Sequence, residues 1–362
     1  MENQNNKFLK GIFFILLFFL TILCGMLLKV MADVFKPVVL AVLLSLVFYP
    51  LIRRLCLFIK LPWWLSTVIV YIAFFVAFFL VANILTASFK AVVLAIPRYQ
   101  ERFNAIQDSI RLAIEAHPNS KFFALLNFDE EASLFANLNN QFNILEYLKS
   151  LAIDFTGSVV VFMKTLFLVV LLSIFLLAEF KKTKHKVRLA FTDEHNLRVI
   201  KIVHNIIKDT THYISIKFVI SLFTGIFIFF ACALTRMDFP LVWAFLAFCF
   251  NFIPTFGSIA SCAITILFSI IQFYPSPVAP IIIGIWVIAV NMILGNVIEP
   301  KIEGDNLGIS PFVILVSLSL AGWLWGILGM ILAVPLMVII KIVCENISYL
   351  KPIAVFLGNK SN

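Results

Sequence analysis

Between residues 278 and 345, two apolar helical stretches flank a polar link punctuated by Pro and Gly. The link runs from Asn296 through Glu299, Pro300, Lys301, Glu303, Gly304, Asp305 and Asn306 to Gly308, Ser310 and Pro311. The second stretch is broken in turn at Gly322–Trp323–Leu324–Trp325–Gly326–Ile327–Leu328–Gly329. Hydrocarbon offers no partner to a freed backbone group, so Pro and Gly that interrupt a membrane helix face a cavity or other protein. Such a pattern belongs to transporters more than to enzymes.

That argument needs a membrane, and the composition supplies one. At 62% hydrophobic and 13% charged residues, the chain reads as an all-α integral membrane protein. Its formal charge of +9 does not point to nucleic acid, because the basic residues cluster beside apolar runs, where the positive-inside rule explains them. Cys24, Cys56, Cys232, Cys249, Cys262 and Cys344 stand singly, mostly within apolar runs. Without C-x-x-C or Cys/His ligand spacing they read as packing residues, and no metal or cofactor is expected. Lys7 and Lys10 precede an apolar run from Gly11 to Leu28 that is long for a signal peptide and lacks a small-residue cleavage site, so it reads as a retained first helix.

About 20 apolar residues cross the ~30 Å hydrocarbon core. By that measure Phe8–Val30, Val34–Tyr49, Trp63–Leu85, Phe155–Phe180 and Tyr213–Leu234 are spans. Pro97–Asp154 is the one sizeable aqueous segment, and its Ile106, Ile110, Ala113 and Ile114 recur at helical spacing. The Phe180–Tyr213 connection holds Lys181, Lys182, Lys184, Lys186, Arg188, Arg198, Lys201 and Lys208 and is placed in the cytoplasm. Counting back through single spans puts Pro97–Asp154 outside and the N-terminus inside.

Beyond Leu234 the apolar runs shorten. Pro240–Phe252 and Ile259–Phe273 flank a Pro/Gly tip at Asn251–Ser258, and Phe312–Ala321 and Ile327–Val343 flank Gly322–Gly329. Both pairs read as re-entrant hairpins, with the near-full span Ile281–Val297 between them; the alternative runs each arm straight through the bilayer and gives nine or ten spans. One crossing between two hairpins inverts the second, which gives an inverted repeat. The expectation is therefore about six full transmembrane helices plus two re-entrant hairpins. The chain divides into N-terminal scaffold helices (1–96), a small helical extracytoplasmic segment (97–154), a fourth helix with its basic loop (155–212), a transport core (213–345) and a tail (346–362).

Four linked motifs carry a resemblance. They are Asn251-x-Ile253-Pro254-x-x-Gly257-Ser258, then Gly295-Asn296-x-x-Glu299-Pro300-x-x-x-Gly304, then Leu307-Gly308-x-Ser310-Pro311, and last Gly326-x-x-Gly329-Met330-x-x-Ala333-Val334-Pro335-Leu336. In this order they resemble the autoinducer-2 exporter family of bacterial membrane proteins, densely from about Tyr213 to Cys344. The resemblance implies export of a small polar solute across the bacterial cytoplasmic (inner) membrane by alternating access, with the hairpin-bearing half moving against the first four spans. It also implies a homo-oligomer, with a pentamer as the expected form. Some members are associated instead with sodium/proton exchange, and a non-transporting membrane scaffold is the reading from another class.

The candidate pathway residues follow from the same breaks. Pro254 and Gly257 free backbone groups at membrane depth, beside Asn251, whose amide is costly in lipid. Asn291, Asn296 and Glu299 lie near one end of a span, with Asn296 and Glu299 on one helical face next to Pro300. A carboxylate there has the chemistry to hold a proton or sodium ion, whereas its ordinary role is a helix-end acid paired with Lys301. Gly304, Gly308 and Pro311 shape the link; Gly322, Gly326, Gly329 and Pro335 shape the second hairpin, where Gly322-x-x-x-Gly326 also suits close helix packing. Trp323 and Trp325 read as interfacial anchors. Lys164 lies inside the fourth span, where a snorkelling lysine accounts for it. No P-loop, G-x-S-x-G or dinucleotide fingerprint occurs, so neither ATP-driven transport by this chain alone nor an enzyme is expected.

Overall fold

A computed structural model of the chain describes residues 15–16, 19–20, 22–116, 162–179, 193–303 and 308–358. Among them the secondary structure is helical, apart from one isolated antiparallel bridge between Ile309 and Gly358. Helix α1 is Ala32–Phe58 and α2 is Trp63–Ala116. Helix α3 is Phe162–Glu179. Helices α4 to α7 are Asp193–Leu234, Pro240–Phe250, Phe256–Phe273 and Val278–Asn291. A π-helical segment, Met292–Ile298, joins α7 to α8 (Glu299–Glu303). Helices α9 (Pro311–Trp325), α10 (Ile327–Asn346) and α11 (Lys351–Leu357) complete the chain.

Seven helices among the described residues are long and apolar enough to cross a membrane. Five of them match expected spans; α6, at 18 residues, and α10, at 20, are the additions. The expectation of sub-length arms on both sides of each tip is therefore corrected, since only the first arms, α5 and α9, are short. The reason is local. Helix α6 begins at Phe256 and takes Gly257 into its first turn, while α9 runs through Gly322 and Trp323 to Trp325, so that Gly326 alone makes the second tip. Of the first expected span, residues 15–16, 19–20 and 22–30 are described and are helical, whereas most of Pro97–Asp154, the basic loop before Asp193 and Gly304 lie outside the described residues. The described part of that aqueous segment is helical, because α2 continues through Pro97 to Ala116.

The chain forms two compact units: residues 1–70, 164–214 and 305–362 make one, and 71–163 with 215–304 the other. The core of the first gathers Leu43 and Leu46 of α1 against Leu332 of α10, with Trp325, Leu328 and Leu336 around them. A second cluster joins Tyr213 to Ile309, Val334, Val338 and Ile342. Thr211 Oγ1 donates to the Leu46 carbonyl at 3.0 Å, and Trp325 Nε1 donates to the Leu28 carbonyl at 3.0 Å. Lys29 Nζ lies 3.9 Å from the centre of the Trp323 ring, a cation–π contact.

The core of the second unit joins Ile228, Cys232, Met237, Trp243, Ala247, Ile283 and Val287, so α4, α5 and α7 share one apolar centre. Trp243 packs on Phe268 of α6 with ring centres 4.6 Å apart. The turn after α4 is tied down by polar groups. Asp238 N donates to Gln272 Oε1 (2.8 Å), Trp243 Nε1 donates to the Asp238 carbonyl (3.0 Å), and Tyr99 OH donates to Asp238 Oδ2 (2.6 Å).

The two hairpins are alike in their internal geometry. Each first arm has Pro in its first turn, Pro240 or Pro311, where a missing N–H costs nothing. Each second arm is capped by a residue with positive φ, Thr255 at 62° or Gly326 at 67°. In each, a glycine of the second arm presses on the first arm's main chain. A Cβ on Gly257 would overlap the Phe250 carbonyl, and one on Gly329 would overlap that of Ala321.

Candidate transport site

Helix α6 wears its polarity on the inside. Gly257, Ser261, Thr265, Ser269 and Gln272 form its buried face, while Phe256, Ile259, Leu267 and Ile270 are exposed. A helix bathed in water shows the opposite arrangement. In lipid the solvent is apolar, so an inward polar row costs free energy unless its groups are satisfied or serve a solute. Thr265 Oγ1 donates to the Ser261 carbonyl at 2.8 Å and Ser269 Oγ to the Ile266 carbonyl at 2.7 Å. Ser261 Oγ is buried with no hydrogen-bond partner among the described residues.

The row leads to a chain of polar contacts at the first hairpin tip. Ser258 Oγ donates to Asn251 Oδ1 (3.4 Å), and Asn251 Nδ2 donates to Ser221 Oγ on α4 (3.0 Å). Asn251 and Ser221 are both buried. One helical turn back from Ser221 stands Lys217, whose Nζ meets Glu299 Oε1 at 2.5 Å; the two side chains are 5% and 14% exposed. Lys217 lies in the long apolar helix Ile202–Leu234, four residues past Tyr213, where the expected span begins. Ile216 and Ile220 of α4 pack with Leu294, Val290 and Ile298 around the pair. The row, the tip contacts and the ion pair are polar groups that α6, α5, α4 and the start of α8 withdraw into the second unit, and together they are termed the polar track.

Of the residues expected on the pathway, Asn251, Gly257 and Glu299 lie on this track, and Pro254 sits half-buried at its tip. Asn291 Nδ2 donates to Cys262 Sγ (3.2 Å) and to the Val287 carbonyl (2.9 Å), which holds it on the neighbouring face of α6. Asn296 and Pro300 are exposed. The expected shared face of Asn296 and Glu299 assumed α-helical spacing, and the wider π turn between them removes it. Gly308, Pro311, Gly322, Gly326, Gly329 and Pro335 belong to the first unit. There Gly308 (φ 48°) leads into α9, Gly322 accommodates Met330, and buried Pro335 leaves the Ile331 carbonyl without its helical donor.

One expectation about charge is revised. Glu299 pairs not with Lys301 but with Lys217, 82 residues upstream. The lysine buried in a span is likewise Lys217, whereas Lys164 is exposed, as a snorkelling side chain would be. Lys217, Ser221, Ser261, Thr265, Ser269 and Gln272 were not singled out by sequence reasoning. Their signals were present: one lysine inside a long apolar run, and small polar residues every fourth position from Gly257 to Ser269.

Comparison with known proteins decides the family. The model of the AI-2E family transporter matches residues 12–349. The chain belongs to the AI-2E transporter family. Among relatives, a protein of Borreliella burgdorferi named "Putative transport protein" is 32% identical over 330 residues, 91% of this chain and 86% of its own length. One of Haemophilus influenzae under the same name is 27% identical, covering 91% and 92%. The "AI-2 transport protein TqsA" of Escherichia coli is 26% identical over 338 residues, covering 93% and 92%. For an AI-2E family member, a multi-pass helical membrane protein of the transport class, the polar track is the feature of the second unit that needs a functional account.

Proposed function

We propose that this chain is a secondary transporter that exports a small polar solute across the bacterial cytoplasmic membrane by alternating access, with an autoinducer-2-like molecule as its solute. The observation that carries the reading is the buried polar track from Gln272 along α6 to Asn251, Ser221 and Lys217, set among helices whose outward faces are apolar. Hydroxyl and amide groups in such a row replace the hydration of a polar solute. The solute's identity rests on the name of the Escherichia coli relative. Glu299, on which a sodium/proton exchange reading depends, is engaged by Lys217, so solute export is preferred. The first hairpin tip and the corresponding second tip are read as the two ends of an inverted repeat, supported by their matching glycine–carbonyl contacts.

The direct test is AI-2 flux in proteoliposomes of the purified chain. Flux above that of protein-free vesicles, lost in Asn251→Leu at equal reconstitution, is the expected result; AI-2 retained at the protein-free rate refutes the reading. The proposed orientation places the N-terminus and Lys184 in the cytoplasm and Asn119 and Asn137 outside. Cysteines at the latter two positions then label in intact cells, and one at Lys184 only after permeabilisation. The proposed pentamer is read from the mass of the particle in native membrane discs.

A further inference from the structure

The helix that begins at Val278 does not end at Asn291; it widens. Over Met292–Ile298 the backbone is π-helical, and the Glu299 N–H bonds to the Leu294 carbonyl, five residues back rather than four. A π turn holds one residue more than an α turn needs, so everything beyond it lags by one position, about 100° round the axis and 1.5 Å along it. This lag decides what faces Lys217. If the helix continued in α form from Asn291, Ile298 would take the place where Glu299 now stands, and the carboxylate would turn away.

Pro300 follows Glu299 directly and has no N–H, so it contributes no bond in either form. Gly295 lies inside the segment with nothing within 4 Å of its Cβ position, which leaves room to rewind there. What favours the observed form is the Lys217–Glu299 contact and the burial of Leu294 beside Ile216 and Ile220. The contact and the π turn therefore require each other.

We infer that Met292–Ile298 is a register switch and that Lys217 is its latch. In the π form Glu299 neutralises Lys217. In the α form the carboxylate is withdrawn and the ammonium is left facing the polar track at Ser221 and Asn251. The charge presented to the track thus depends on one residue of helix register. This rests on contacts within the second unit and holds whatever solute the protein carries.

The test reads register without transport. A p-trifluoromethyl-phenylalanine at Ile302, half exposed on α8, reports by fluorine NMR on the full chain in lipid discs. The π form and the α form place it in different surroundings and give separate lines. Lys217→Met should raise the ratio of the second line to the first by at least about tenfold, because a buried pair that loses one partner is strongly destabilised. Glu299→Gln, which keeps size and hydrogen bonding, should move the ratio the same way. Deleting Ile293 removes the extra residue, gives a plain α-helix with Glu299 still on Lys217, and should leave one line at the position of the first. Unchanged line ratios in both charge variants, or a deletion variant whose line leaves the first position, would overturn the switch.

Discussion

Lys217 and Glu299 meet at 2.5 Å in the second unit, and both side chains are largely withdrawn from solvent. The Coulomb attraction of such a pair is offset by the cost of stripping water from two ions, so its loss is asymmetric. Removing one partner leaves a buried charge without compensation, whereas removing both removes the cost as well. Lys217→Met or Glu299→Leu alone should each destabilise the protein by about 3–5 kcal/mol. The double variant should recover most of the loss. Thermal unfolding in detergent checks this, and a double variant as unstable as the sum of the singles would show that the pair has no mutual role.

The hairpin tips predict a graded glycine series. Gly257→Ala and Gly329→Ala place a methyl on a main-chain carbonyl of the facing arm and should destabilise by about 1–3 kcal/mol or more, as overpacking does. Gly295→Ala meets nothing within 4 Å and should fall near the ordinary helical gain for replacing Gly by Ala, roughly 1 kcal/mol in the stabilising direction. Melting temperatures of the three variants give the order directly.

Asn251 bridges Ser221 and Ser258, so its truncation leaves a buried hydroxyl without its donor. Asn251→Ala should cost about 1–3 kcal/mol. Ser261 differs, because its hydroxyl has no partner among the described residues. Ser261→Ala should leave the melting temperature unchanged or raised, while AI-2 flux in proteoliposomes falls. Equal flux in wild type and Ser261→Ala would remove this hydroxyl from the solute path.

At the other end of α6, Gln272 accepts from Asp238 N and donates to the Arg236 carbonyl at 3.2 Å. Gln272→Leu strips both partners at once and should destabilise by about 2 kcal/mol. Tyr99→Phe removes a single bond to Asp238 and should cost about half as much. Hydrogen exchange at residues 235–239 should rise in the first variant more than in the second.

Much of this architecture was legible in the sequence because lipid imposes a simple rule. Apolar runs of span length gave α1, α3 and the membrane part of α4 without reference to any partner, and the breaks at Pro254 and Gly326 fell where the tips are. The interior of the tips was less legible. Gly322 and Gly257 looked like breaks, yet both stand inside helices, Gly257 against the Phe250 main chain and Gly322 against the Met330 side chain. The site was half legible. Asn251 and Glu299 stood out as costly groups in an apolar context, but pairing them required the fold: Lys217 is 82 residues from Glu299, and the π turn that brings them together has no signature in spacing alone. The polar row of α6 was visible at every fourth residue but resembles a helix-packing stripe until burial shows which way it faces.

The glycine–carbonyl contacts at the tips have a consequence for how the protein is made. Gly257 touches Phe250, and Gly329 touches Ala321, partners only seven and eight residues away in the chain. Contacts this local close with little loss of loop entropy and form early. Each hairpin can therefore enter the bilayer as a preassembled wedge, its arms already zipped at the point. Biogenesis then needs to bring together only finished pieces, and a substitution at either glycine should show first as protein that fails to accumulate in the membrane.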